Sequence, residues 1–285
     1  YATQDLGLLN CCDACSEINP AGSGLKIPIR QCWMHHMADA KLPRDMDGHR
    51  RNRVLACMTA DDYALVEAKL ELTTFKQGAV IQEVGEPIER VYFPQTCMIS
   101  LLVLTQDGGG IESATIGYEG AVGLHRGFGG RRSFTRAVIQ ISGIMSHISA
   151  EAFEHATLRG ERIKEIISNY TEVLWVEAQQ IAACNAVHDA EARLARWLLQ
   201  TQDRLHSKAS TIDLTQDFLA QMLGTRRTTV TLVARALQAA GLIQYRRGKI
   251  EILDRPGLEE AACECYKIIR HETLPKIIGI DLKTR

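Results

Sequence analysis

The sequence predicts an α+β chain: an N-terminal antiparallel β-barrel or jelly roll, a long helix, and a C-terminal winged helix-turn-helix. Short apolar runs separated by glycine turns occupy residues 71–147, as in an antiparallel barrel. Apolar spacing of four and three takes over after His147 and marks a long helix. The block from Thr215 to Leu237 then reads as two short helices joined by a tight turn, and a basic hairpin follows it.

Composition is that of a globular protein: 285 residues, 46% hydrophobic, 24% charged, formal net charge −1. No apolar run reaches the length of a membrane span, and the start lacks the basic-then-apolar pattern of a signal peptide. A cytoplasmic protein without membrane contact is expected. Nine scattered cysteines do not suggest a disulfide scaffold. Residues 1–48 show no helical or strand period and are expected to be a disordered extension. Met37 opens a polar stretch like an ordinary bacterial start, so residues 1–36 are read as upstream sequence in frame. N-terminal sequencing of the native protein tests this. The predicted units are the extension 1–48, the barrel 49–159, a dimerisation helix 160–187, a winged domain 188–255 and a C-terminal helix and tail 256–285.

Thr59 caps a short amphipathic helix carrying Tyr63, Leu65, Val66 and Leu70. Strands follow at Glu71–Phe75, Ala79–Gln82, Val91–Phe93, Met98–Thr105, Glu112–Ile116 and Arg136–His147, with turns at Lys76-Gln-Gly78, Val84-Gly-Glu-Pro87 and Asp107-Gly-Gly-Gly110. In the long helix Ile163, Ile167, Tyr170, Leu174, Ile181 and Cys184 form an alternating stripe, broken at Glu177. Such a stripe is the seam of a coiled-coil homodimer. The alternative is a core helix lying on the barrel. Helix 189–205 leads on to the C-terminal block.

In that block Phe218, Leu219, Met222 and Leu223 are the buried side of a first helix, and small Ala220 lets a second helix cross closely. Gly224 supplies the left-handed residue that ends it. Thr225 is placed to cap a second helix whose inward residues are Val230, Val233, Ala234 and Leu237. Thr225, Arg226, Arg227, Thr228, Thr231 and Arg235 then lie near or on the outer face, where a recognition helix meets the major groove. The hairpin Gly241–Leu253 carries Arg246, Arg247 and Lys249 at its tip, as a wing placed to touch phosphates. Six Arg or Lys against two Asp between Asp213 and Lys249, on a chain of net charge −1, form a local basic patch. Double-stranded DNA is the predicted partner.

This order resembles the Crp–Fnr family of bacterial transcription regulators, from about Asn52 to Asp254. The residues that carry it are Val84-Gly-Glu-Pro-Ile-Glu-Arg-Val-Tyr-Phe93, Gly120-Ala-Val-Gly-Leu124 and the Leu214–Ile243 block. The resemblance implies a homodimer that contacts RNA polymerase and a cyclic-nucleotide-binding-like barrel. Members that bind cyclic AMP carry a Glu where Ala121 stands, and an alanine side chain cannot accept a ribose hydrogen bond. Thr135 and Arg136 occupy the family's Arg-Ser phosphate pair, and Ala178 and Gln179 its adenine-gripping hydroxyls. An alternative loop alignment uses Arg132 and Ser133 as the phosphate pair. Gly120, Gly123, Leu124, Arg132, Ser133 and Arg136 are therefore the candidate effector residues, with cyclic AMP not expected to bind as in its receptor. The resemblance also places Arg227, Thr228 and Leu232 at base-reading positions.

Other chemistry finds little support. The family's oxygen-sensing branch holds an iron–sulfur cluster on differently spaced cysteines than Cys11, Cys12, Cys15 and Cys32. The Cys12–Cys15 pair lacks a second pair. Cys263 and Cys265, two apart in a terminal helix Gly257–Glu272, point to different faces. His125 and His147 are lone candidates for haem. No metal or cofactor is predicted, and no enzyme: there is no nucleophile elbow and no phosphate-binding loop followed by a lysine. The competing reading is a cyclic-nucleotide-binding-like regulator whose output is not transcription.

Overall fold

The computed structural model describes residues 48–106, 109–205 and 211–270. The predicted extension, with Cys11, Cys12, Cys15 and Cys32, lies outside the described residues up to Asp47, as does the tail beyond Arg270. Two short helices, α1 (Arg53–Ala56) and α2 (Ala60–Ala64), lead in. Buried Asn52 caps α1, and its amide donates to the carbonyls of Pro94 and Gly120 at 2.8 Å each, fastening this lead-in to the barrel. Thr59 caps α2 as its sequence predicts, but the helix stops at Ala64 and a 3-10 turn, Glu67–Lys69, carries the chain into the first strand.

The barrel consists of β1 (Glu71–Phe75), β2 (Val80–Gln82), β3 (Arg90–Pro94), β4 (Met98–Leu104), β5 (Gly110–Ile116), β6 (Arg136–Ile141) and β7 (Gly143–Ser149). Two antiparallel sheets have the orders β1-β7-β3 and β2-β6-β4-β5. The run 136–147, predicted as one strand, is thus two strands in different sheets. Gly143 allows the crossing: a Cβ there would stand 2.6 Å from the Thr96 and Cys97 backbone.

Helix α3 (Ala150–Arg159), capped by Ser149, and the long helix α4 (Glu161–Val187) close one side of the barrel. The stripe predicted as a dimer seam turns inward. Ile163 and Ile167 are fully buried, Tyr170 and Ile181 nearly so, and half-buried Leu174 packs on the barrel. This corrects the seam reading in favour of the core-helix alternative. Alternating spacing shows which face of a helix is apolar, not whether its own chain or a second copy covers it.

His188 is extended at the end of α4, and Asp189 caps α5 (Ala190–Arg204) by accepting from the Ala192 amide at 2.8 Å. Then come β8 (Thr211–Asp213), α6 (Gln216–Met222), α7 (Arg227–Ala239), β9 (Ile243–Arg246), β10 (Lys249–Ile252) and α8 (Arg255–Ala261). Strand β8, which the sequence did not announce, makes the hairpin a sheet of order β8-β10-β9. Leu102 and Val138 of the barrel share one core with Trp197, Leu219, Met222 and Leu237. The terminal helix predicted over Gly257–Glu272 is broken: residues 262–264 leave the helix and 265–270 resume it. Among the described residues no helix is long and apolar enough to cross a membrane.

Candidate nucleic-acid interface

Thr215 caps α6, and Gly224 (φ +55°) reverses the chain after it, with the Thr225 amide donating to the Ala220 carbonyl at 3.0 Å. Here one expectation is corrected. The N-cap of α7 is Arg226, not Thr225, and no side chain bonds the leading amides. The turn spends one more residue than the sequence reading allowed. Since the first turn of α7 holds no acidic residue, the positive end of a 13-residue helix stays open beside Arg226, Arg227 and Thr228.

Val230, Ala234 and Leu237 bury the inner side of α7, while Arg226, Arg227, Thr228, Leu232 and Arg235 are exposed on the outer one. Gln216 of α6 organises that face. Its Oε1 accepts from Arg227 Nε at 3.4 Å and from the Thr231 hydroxyl at 3.2 Å. Arg227 also stands 3.5 Å from Asp217, both well exposed, a contact weak enough to release the guanidinium to a stronger anion. In the wing Arg246 pairs with Lys249, and Arg247 (φ +52°) and Gly248 (φ +78°) make the two-residue turn of type I′. Lys249 lies 3.6 Å from exposed Asp213. Arg226, Arg235, Arg246 and Arg247 make no ion pair among the described residues.

The candidate effector residues do not form a ready anion cradle. Arg136 grips Glu83 through Nε and Nη2 at 2.9–3.0 Å, which holds that carboxyl below its usual range. Arg132 donates to the Gly85 carbonyl at 2.5 Å. Buried Ser133 accepts from Gln82 and donates to the Thr135 carbonyl. Gly123 (φ +87°) precedes a 3-10 turn, Leu124–Phe128, whose Leu124 is buried. At Gly120 any Cβ would collide with the Tyr170 ring and hydroxyl of α4. Arg132, Ser133 and Arg136 each already have a partner in their own chain. Ala178 is half-buried and Gln179 exposed on α4.

A buried ionic link that sequence reasoning missed joins the three parts. Arg204, the last residue of α5, reaches Glu119 at 3.1 Å and Glu177 of α4 at 2.9 Å, all three nearly inaccessible. Glu119 also accepts from the Gly117 amide at 2.9 Å. Burial pushes the Glu119 carboxyl up, against the pull of Arg204. Gly117 must be glycine for this docking, because a Cβ would meet the Arg204 carbonyl. A second strut runs from Trp197 of α5, whose indole N–H donates to buried Glu112 of β5 at 2.8 Å. The sequence held one sign of this: Glu177 sits where the apolar stripe wants a hydrophobe.

These features define a class: a winged helix-turn-helix protein carried on a β-barrel and a long helix. Residues 192–261 match the family model of the Crp-like helix-turn-helix domain. Among solved structures, FixK2 from Bradyrhizobium japonicum is 19% identical with a TM-score of 0.60, covering 68% of this chain and 98% of its own. CLP of Xanthomonas campestris, a c-di-GMP-responsive global regulator, is 17% identical with a TM-score of 0.57, covering 69% and 100%. TTHA1359 from Thermus thermophilus, a regulator of the Crp/Fnr family, is 23% identical with a TM-score of 0.54, covering 67% and 98%. No curated protein matches the chain. The chain has the fold of these regulators, and its residues 192–261 carry the Crp-like helix-turn-helix domain.

Proposed function

We propose that this chain is a sequence-specific DNA-binding transcription regulator acting in the cytoplasm as a homodimer. The observation that carries the reading is the exposed outer face of α7, cationic and open at its positive end, flanked by the basic wing. Arg227 has the two-pronged geometry suited to guanine O6 and N7, Thr228 offers a hydroxyl, and Leu232 offers apolar contact to a thymine methyl. Thr225, Arg226, Thr231, Arg235, Arg246, Arg247 and Lys249 then serve to position the helix or hold phosphates.

A second copy is the proposed partner of α4, through the face its own barrel leaves bare. Glu172, Trp175, Gln179, Ala182 and Ala186 are exposed there at alternating spacing, with Trp175 66% exposed. Small Ala182 and Ala186 let two helices approach closely, and Trp175 supplies apolar area. Pairing along this face sets two recognition helices on a near-palindromic site, about one DNA turn apart. RNA polymerase is the proposed downstream contact. A nucleotide held as in the cyclic-AMP receptor is not part of the proposal, since the cassette groups are already engaged within the chain.

Binding to a cognate duplex tests this directly. Arg226→Ala, Arg246→Ala and Lys249→Ala should each weaken cognate and unrelated duplexes alike and flatten the salt dependence by about one counterion. Fluorescence anisotropy at several salt concentrations reads both effects. Unchanged affinity and slope in all three variants would remove the wing and the open end of α7 from the interface.

A further inference from the structure

We propose that Cys184, His188, Cys263 and Cys265 form a structural zinc site at the junction of the long helix and the winged domain. Their ligand atoms all lie within 4.8 Å of one another. Cys184 Sγ stands 3.5 Å from Cys263 Sγ, and Cys265 Sγ 3.6 Å from His188 Nδ1. A tetrahedral zinc ion with ordinary bond lengths separates two sulfurs by about 3.8 Å, and a sulfur and a nitrogen by about 3.6 Å. One ion fits this spacing. The thiolates of a binuclear iron–sulfur cluster would have to stand further apart to reach two irons.

The surroundings match a metal-bound histidine. His188 turns Nδ1 toward the thiols, and its other nitrogen, Nε2, faces the Glu264 carboxylate at 3.2 Å. A carboxylate on the far ring nitrogen fixes the tautomer that offers the near one to a metal. Gln180 Nε2 donates to Cys265 Sγ at 3.0 Å, and all three cysteines are buried. Zinc binding would release the thiol protons to solvent, leaving three thiolates, a neutral imidazole and one divalent ion.

The break in the terminal helix brings the set together. Were 257–272 one helix, Cys263 and Cys265 would diverge. Because residues 262–264 leave the helix, both thiols meet the end of α4. That segment is in turn bound to α5, with the Tyr266 hydroxyl donating to Asp203 at 2.8 Å and Arg255 reaching the same carboxylate at 2.7 Å. An ion here clamps the winged domain across the His188–Asp189 joint. The site is independent of the DNA reading, because its test measures metal and not DNA.

The experiment is metal analysis of the full chain, purified under reducing conditions from zinc-supplemented cells. Stoichiometric zinc is expected in the wild type and in Cys12→Ser/Cys15→Ser, and its loss in Cys263→Ser/Cys265→Ser. After zinc removal, cobalt(II) should give the visible bands of a tetrahedral site with a sulfur-to-cobalt charge-transfer band. His188→Cys should keep the ion and strengthen that band by adding a thiolate, a gain that misfolding cannot imitate. Three results would each overturn the site: zinc absent from the wild type; zinc lost with Cys12 and Cys15; a six-coordinate cobalt spectrum.

Discussion

Arg204→Met is expected to cost about 3–5 kcal/mol of folding stability, read as a fall in the urea midpoint. The loss comes from what stays behind. Glu119 and Glu177 would face each other in a buried site with no cation between them. Adding Glu119→Gln and Glu177→Gln to Arg204→Met should recover most of it, since no unpaired charge would then remain. The deficit should also shrink with acidity. Burial raises the Glu119 carboxyl, so the folded state binds its proton more tightly than the unfolded state does. The penalty is therefore present above the folded pKa and fades as pH falls through it toward the ordinary glutamate range. A midpoint unchanged by Arg204→Met would mean that water solvates these groups and that α5 is not locked to the barrel.

Ala182→Glu is expected to give monomers and a loss of operator affinity of roughly 10²–10⁴-fold, the gain that linking two half-sites confers. The glutamate falls on the exposed face of α4, and a charge opposite its own copy repels. Ile181→Glu, one residue away, should behave differently. Ile181 is buried in its own chain, so charging it should unfold the protein rather than split a dimer. Sedimentation and thermal melting together separate the two outcomes. An intact Ala182→Glu dimer would place the interface elsewhere.

What could be read from the sequence was local. Gly224, the Thr59 cap, the inward spacing of Val230, Ala234 and Leu237 and the hairpin tip at Arg247-Gly248 act within a few residues, and each lies where its local chemistry puts it, whereas the cap expected at Thr225 falls one residue on, at Arg226. The barrel strands were legible for the same reason, and the one misjudged run hid a sheet crossing that Gly143 permits. Long-range matters were hidden. The stripe on α4 announced an apolar face, but only the fold shows that its own barrel covers it. Glu177 was the single residue that betrayed a partner, and nothing local said that partner was Arg204. The meeting of Cys263 and Cys265 with Cys184 was invisible, because Ala262-Cys-Glu264 breaks a helix without a glycine or proline to announce it.

Selection from random duplexes with the purified full chain tests most directly whether α7 reads DNA sequence within a two-fold dimer. A near-palindromic motif with two half-sites about one helical turn apart and a guanine in each half is expected. Arg227→Ala should relax the preference at that guanine, a contact worth about 1–3 kcal/mol of discrimination, and leave the rest of the motif intact. A pool with no enriched motif, or an Arg227→Ala selection with the wild-type preference at every position, would contradict it.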